Sequence, residues 1–239
     1  MIKKNFSFWK ILPFSIRGKL EAPNRYDASR EIKNIFDNFG AKKLSILDVG
    51  AGDCFAERFF SGHEYVAMDI EKNSECKKDL DFIGSIENNP FEDNNFDLIL
   101  CLEVLEHIEN YQDAIKEMYR ILKDDGRLLL TVPLMSVGYH NDFYRFTPPI
   151  LKKILEKEGF KINKVNSTGG YFRMLGWQIS KISYLIKKPK NGIFIILYYL
   201  IKIPVGLVFQ IFIPLILFKL DFLDNKKTET CGYLVVAEK

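Results

Sequence analysis

Apolar positions along this chain change period several times, and the changes outline its elements. Over residues 27–39, Ile32, Ile35, Phe36 and Phe39 recur at helical spacing, and Gly40 ends the run. Short apolar runs at 44–49, 65–68, 82–83, 96–101 and 128–132 predict five strands. Between the last two, Ile115, Met118, Tyr119 and Leu122 share one face of a predicted helix over 111–123, with Gly126 as its stop. A further helix is predicted over 148–158, with Thr147 as N-cap, Pro148 in its first turn and Gly159 at its end. Residues 160–165 and 232–237 add a sixth and a final strand. Strands alternating with helices imply an α/β fold, a mostly parallel sheet covered by helices on both faces.

The alternation stops between residues 168 and 229. There an almost unbroken apolar run over 193–218 contains only Lys202 and Gln210 as strongly polar residues. About 20 apolar residues can cross a bilayer, but the last strand must rejoin the sheet of the first six. One crossing would strand it on the far side, and two would need roughly 40 apolar residues. Pro204 and Pro214 are expected to break the run. An element dipping into the membrane or lying in its plane fits better. Before it, Tyr171, Phe172 and Trp177 alternate with Arg173, Lys181, Lys187, Lys188 and Lys190, a mixture suited to anionic lipid. The same run also suits a helical subdomain packed on protein. The expected organisation is an arm and helix over 1–40, a main domain from 41–167 with 230–239, and an apolar, basic insertion over 168–229.

With 239 residues, 47% of them hydrophobic, the chain can bury a full core. A net charge of +3, without basic and aromatic residues interleaved along a groove, argues against nucleic acid. The four cysteines form no C-x-x-C pair and only three histidines are present, so no metal site is expected. Free thiols in a reducing compartment are the expected state. The N-terminus is basic and aromatic but is interrupted by Lys10 and Pro13, unlike a signal peptide. Together these point to a cytoplasmic protein, peripheral or monotopic at the inner membrane face.

The first predicted strand runs into Asp48-Val49-Gly50-Ala51-Gly52-Asp53. Two glycines allow a sharp turn and close approach to a ligand. A dinucleotide fold would place a small residue at 55, where this chain has Phe55. Asp48 and Asp53 disfavour phosphate and favour a cation, as in S-adenosylmethionine with its sulfonium and ammonium groups. Asp69 ends the second strand, where a carboxylate can accept both ribose hydroxyls.

These segments, with 89–97, Glu103-Val104-Leu105-Glu106-His107 and 120–127, resemble the class I methyltransferases of the type 11 group. The resemblance covers roughly residues 44–165 and the last strand. It implies a Rossmann-like, seven-stranded sheet with an antiparallel last strand and S-adenosylmethionine as cofactor. Gly50 and Gly52 would pass beneath the methionine part and Asp69 would hold the ribose; Asp48 and Cys101 are further candidates for contact with the cofactor. Ser85 and Ile86 would flank the adenine. The family often has an acid where this chain has Ser85, whose hydroxyl can still accept a hydrogen bond.

Methyl transfer from a sulfonium is an in-line displacement governed largely by alignment. A base is needed only for a hydroxyl or carbon acid. Glu103 and His107 follow the fourth strand, four apart, as on one helix face. Glu103 is a candidate catalytic residue, and His107 reads as structural. The stretch from Tyr139 to Pro148 gathers His140, Asp142, Tyr144 and Arg145. His140 is the candidate general base, Asp142 its orienting partner, and Arg145 with Tyr144 the acceptor contacts. The alternative for this loop is an Asp142–Arg145 ion pair that stiffens it. The expected function is methyl transfer to a lipid, lipid-linked saccharide or other amphiphilic small molecule. A non-catalytic, membrane-anchored scaffold is the alternative, and a nicotinamide oxidoreductase is disfavoured by Phe55 and the acidic loop.

Overall fold

The predicted strands pair into one seven-stranded sheet, whose central strands are apolar on both faces. The computed structural model describes residues 23–40, 42–72, 79–135, 142–185, 189 and 193–239. In chain order the sheet and the helices that flank it begin with α1 (Pro23–Phe39), β1 (Ser45–Val49), β2 (Glu64–Asp69), β3 (Phe82–Ile83) and β4 (Phe96–Leu102). They continue with α2 (Tyr111–Ile121), β5 (Leu122–Pro133), α3 (Pro148–Lys157) and β6 (Lys161–Ser167), and close with β7 (Gly232–Glu238). The strand order is β3-β2-β1-β4-β5-β7-β6, and β7 runs antiparallel to both neighbours.

Alternate residues of the central strands enter two different cores, as the period of two requires. Leu47, Ile99, Leu128, Leu130 and Val235 lie against Ile115 and Met118 of α2 and Leu151 and Leu155 of α3. Ile46, Leu98, Leu100, Leu129 and Leu234 face the opposite way, against Ile32 and Ile35 of α1 and Phe55 and Phe60. Burial on both faces explains why these strands read as continuous apolar runs.

Two boundaries differ from the sequence expectation. The helix expected over 111–123 ends at Ile121, and Gly126 lies inside β5 rather than at a helix stop. The β4–β5 register jumps from Phe96↔Leu122 to Leu98↔Arg127, so residues 123–126 bulge out of the ladder. A Cβ on Gly126 would lie 2.6 Å from the Lys123 carbonyl oxygen. Thr147 precedes α3, but its side chain makes no capping hydrogen bond; its carbonyl accepts from Leu151 N at 3.0 Å, with Pro148 already in helical φ.

Asp97 fastens the start of β4 to its neighbours. It accepts from Ser45 N (2.9 Å), Lys42 Nζ (2.8 Å) and Lys123 Nζ (2.9 Å). Burial opposes its charge, but the hydrogen bonds from Lys123, Lys42 and Ser45 outweigh it and hold its pKa down at about 2. Arg120 of α2, held by Glu117 of the same helix, pairs with Asp93 and donates to the Phe91 carbonyl, which fastens α2 to the loop before β4.

The chain divides into two compact units, one of residues 27–167 with 232–239, the other of 168–231 with the segment ending at Tyr26. The second unit is helical: α4 (Tyr171–Ser180), a 3-10 turn (Lys181–Leu185), α5 (Ile193–Gly206), a π-helical segment (Leu207–Phe212), α6 (Ile213–Leu220) and a final turn (Asp221–Leu223). Pro204 and Pro214 do not break the run, contrary to expectation. The helix Phe194–Leu223 spans 30 residues and contains an 18-residue window of mean hydropathy 2.3, long and apolar enough by length and composition to cross a membrane. The π segment precedes Pro214, which has no N–H to continue the α pattern. Asp221 accepts from Gly170 N and Arg173 N, and Asp224 from Tyr171 N, so two carboxylates cap the start of α4. A Cβ on Gly176 would lie 3.2 Å from Pro214 Cα, so α4 and α6 pack closely.

Cys101 and Cys231 are buried free thiols, whereas Cys54 is in a disulfide, which corrects the expectation of free cysteines throughout. Sequence spacing does not report which thiols meet in space.

Candidate functional site

From β1 the chain continues to β2 and from β4 to β5, on opposite flanks of the adjacent pair β1 and β4, so the strand order reverses between these two. Open α/β sheets bind ligands at this point, beyond the carboxyl ends of the strands. The glycine loop occupies it. Gly50 has φ +65°, and a Cβ there would lie 2.4 Å from Val104 Cγ2, so only glycine lets the two loops meet. Gly52 also has positive φ, +56°. Its N–H donates to Asp69 Oδ2 at 2.9 Å, and Ile70 N donates to Asp69 Oδ1 at 2.8 Å. Asp69 thus ties the end of β2 to the loop after β1.

Asp48 is buried in β1, where it accepts the hydroxyl of Tyr65. Burial, and then the Asp48 charge, push the Tyr65 phenol far above its ordinary range, which keeps it a donor. Cys101 is fully buried in the core of the α2 face, and burial followed by the Glu106 and Asp48 charges raises its thiol strongly. Its side chain is an apolar filler at that position. Ser85 caps the 3-10 turn Ile86–Asn88: its hydroxyl donates to Glu87 Oε2 at 2.7 Å and accepts from Glu87 N at 3.3 Å. Ile86 is buried.

Beyond β4 the backbone is irregular. Glu103 has φ +61°, a left-handed conformation that costs a non-glycine residue about 1–3 kcal/mol. It is followed by a 3-10 turn, Leu105–His107, so Glu103 and His107 do not share an α-helical face as their spacing had suggested. His140 lies outside the described residues. Asp142, expected to orient it, holds His107 Nδ1 at 3.0 Å and Arg145 Nη2 at 2.6 Å. Arg145 also donates to the Tyr144 carbonyl at 2.9 Å, so its guanidinium is engaged by its own loop. Tyr144 donates to the Glu109 carbonyl and stacks edge-on against Tyr111.

One residue of this edge was quoted in the sequence motif without a role. Glu106 is 2% exposed, and its Oε2 has no hydrogen-bond partner among the described residues. Its carboxyl is pushed up to about 8, first by burial and then by the Glu103 charge. Oε1 is 3.6 Å from His107 Nε2. The Glu106 carbonyl accepts from Phe143 N (2.9 Å) and Tyr144 N (3.3 Å), so this turn anchors the loop before α3. Periodicity could not reveal it, because a buried acid next to a strand looks like a surface residue in sequence.

The geometry fits a cation-bearing nucleoside better than a nucleotide. The cradle is made by a glycine that excludes any Cβ, and three carboxyl groups, Asp48 in β1, Asp69 at the end of β2 and Glu103 just after β4, belong to the neighbouring strand ends.

Comparison with known proteins agrees. Residues 47–130 match the family described as "Methyltransferase domain". An uncharacterized protein of Methanocaldococcus jannaschii is 36% identical over 145 residues, covering 57% of this chain and 64% of that protein. The demethylmenaquinone methyltransferase of Staphylococcus epidermidis is 34% identical over 80 residues, 31% of this chain and 33% of that one. A solved methyltransferase of Archaeoglobus fulgidus, described as S-adenosylmethionine-dependent, shares the fold at a TM-score of 0.57 and 16% identity, covering 95% of this chain and 99% of its own. The chain therefore spans under two thirds of the length of these two sequence relatives. Residues 47–130 of the first unit are thus similar to the methyltransferase domain family, and the fold is shared with the Archaeoglobus fulgidus methyltransferase.

Proposed function

We propose that this chain uses S-adenosylmethionine to methylate a lipid, a lipid-linked saccharide or another amphiphilic small molecule. The observation that carries the donor half is the Gly50–Val104 contact, with Asp69 holding the loop that it closes. S-adenosylmethionine supplies an activated methyl group on a sulfonium. In this reading Asp48, Gly50 and Gly52 border its methionine part, with the Cys101 backbone at the neighbouring strand end. Asp69 meets the ribose, and Ser85 and Ile86 flank the adenine. The clustered carboxyl groups favour the positive donor over its neutral product.

Acceptors that must lose a proton need a base at this edge. His107, held by Asp142 on Nδ1, has the arrangement that the sequence had suggested for His140. Glu103, held in its left-handed backbone at the strand end, is the second candidate for contact with the acceptor. Arg145 and Tyr144 shape the wall of the acceptor side.

The amphiphilic acceptor is inferred from the second unit. Its apolar helix suits a membrane surface, and the match to a demethylmenaquinone methyltransferase is compatible with a small-molecule acceptor. Calorimetric titration of the full chain with S-adenosylmethionine, beside Asp69→Ala, tests the donor half. Micromolar binding that the variant loses is the expected result. A well-folded protein with no binding would instead favour a scaffold that keeps only the fold.

A further inference from the structure

The first half of the long helix is exposed where a soluble helix would be covered. Phe194, Ile196, Leu197, Tyr199, Leu200, Ile201 and Ile203 are all large, apolar or aromatic, and exposed; Ile196 is 71% exposed and Leu200 67%. At 3.6 residues per turn these positions cover about 220° of the helix circumference. A partner protein covers a stripe, about 100° wide on an amphipathic helix. A helix that is apolar over most of its circumference calls for a surrounding apolar medium.

The only charged side chain between Ile193 and Phe218 points the other way. Lys202 is 4% exposed, and its ammonium donates to the Ser183 carbonyl. Gln210, the other strongly polar residue of the run, is fully buried and donates to the Ser183 hydroxyl, which in turn donates to the Ser180 carbonyl. Both polar groups are thus drawn inward onto one turn, and the outer surface is left uncharged, apolar and aromatic. Residues 194–204 rise about 16 Å at 1.5 Å per residue, close to half of a hydrocarbon core of about 30 Å. The chain leaves the sheet after Ser167 and returns at Gly232 beside the same strand, so both ends of the excursion stay on one side. In sequence, Lys187, Lys188 and Lys190 precede the helix, and the Lys181 ammonium lies 3.4 Å above the Trp177 ring. Cations beside aromatics suit anionic headgroups.

We propose that residues 194–204 sink into the acyl region of one leaflet of an anionic bilayer, with Ser183 holding Lys202 away from the lipid. This rests on the membrane-surface reading above and specifies how that surface is engaged. The test uses the full chain with vesicles of phosphatidylcholine and phosphatidylglycerol. Wild type is expected to float with the vesicles. Leu197→Asp/Ile201→Asp, whose sites are solvent-exposed, is expected to bind at least about a hundredfold more weakly, since a single acid in hydrocarbon already costs that much, at unchanged melting temperature and donor affinity. In Leu200→Trp, the emission gained over wild type is expected to be quenched by lipid brominated on its acyl chains and not by aqueous iodide. Flotation kept by the aspartate variant, with iodide quenching, would overturn insertion while leaving surface attachment standing. No flotation of wild type would overturn both. A wild type that is dimeric without lipid, and made monomeric by the aspartates, would assign the face to a second copy and overturn the proposal.

Discussion

The carboxylate of Asp69 accepts the backbone N–H of Gly52 at 2.9 Å, which joins the end of β2 to the loop after β1. The residue proposed to meet the ribose therefore also sets the shape of the glycine loop. Asp69→Ala is expected to remove both functions and to abolish S-adenosylmethionine binding in the micromolar range by calorimetry. Asp69→Asn keeps one acceptor oxygen and is expected to bind between the two. Equal losses in both variants would show that charge, rather than loop shape, dominates.

Gly50 lies at φ +65° with Val104 against it. Gly50→Ala adds a backbone strain of about 1–3 kcal/mol and a clash with the β4 loop. A lower melting temperature and weaker donor binding are expected. Adding Val104→Ala should return the part due to the clash and leave the part due to φ. Full restoration would mean that the left-handed conformation contributes nothing.

Glu106 titrates upward on folding, from an ordinary 4.5 to about 8. The folded state then holds a proton that the unfolded chain has released between these values. Stability falls as pH rises through the window 4.5–8, by up to about 1.4 kcal/mol per pH unit. Glu106→Gln imitates the neutral form and is expected to flatten this slope, with its gain largest near pH 8. Denaturant melts of both proteins at pH 5, 6.5 and 8 measure it; parallel slopes would place the proton elsewhere.

His107 has an orienting carboxylate in Asp142, at 3.0 Å. With an acceptor that must be deprotonated, His107→Gln is expected to lower kcat by about 10²-fold or more, and His140→Ala by only a few fold. Asp142→Asn, acting through the imidazole, is expected to shift the acidic limb of the pH–rate profile. A loss confined to His140→Ala would return the role of base to that residue.

Much of the fold was legible in the sequence because its strands are apolar on both faces and its helices on one. Leu47 and Ile46 enter opposite cores, and Ile115 and Met118 share one face, as their periods require. The glycine loop was legible too, since two glycines directly after a strand have few other uses. Helix ends were less so. Gly126 imitates a helix stop but serves a bulge, and Thr147 imitates a cap but bonds only through its backbone. Both are local signals that strand pairing and Pro148 override.

By itself, the sequence determined the order of elements, the donor loop and the apolar run, because each depends on neighbours in the chain. Tertiary structure alone decided which groups share an environment. Asp142 meets His107 across 35 residues, Glu106 loses its charge to burial, and Lys202 turns inward onto Ser183. Desolvation and pairing depend on distance in space, and no spacing along the chain encodes them.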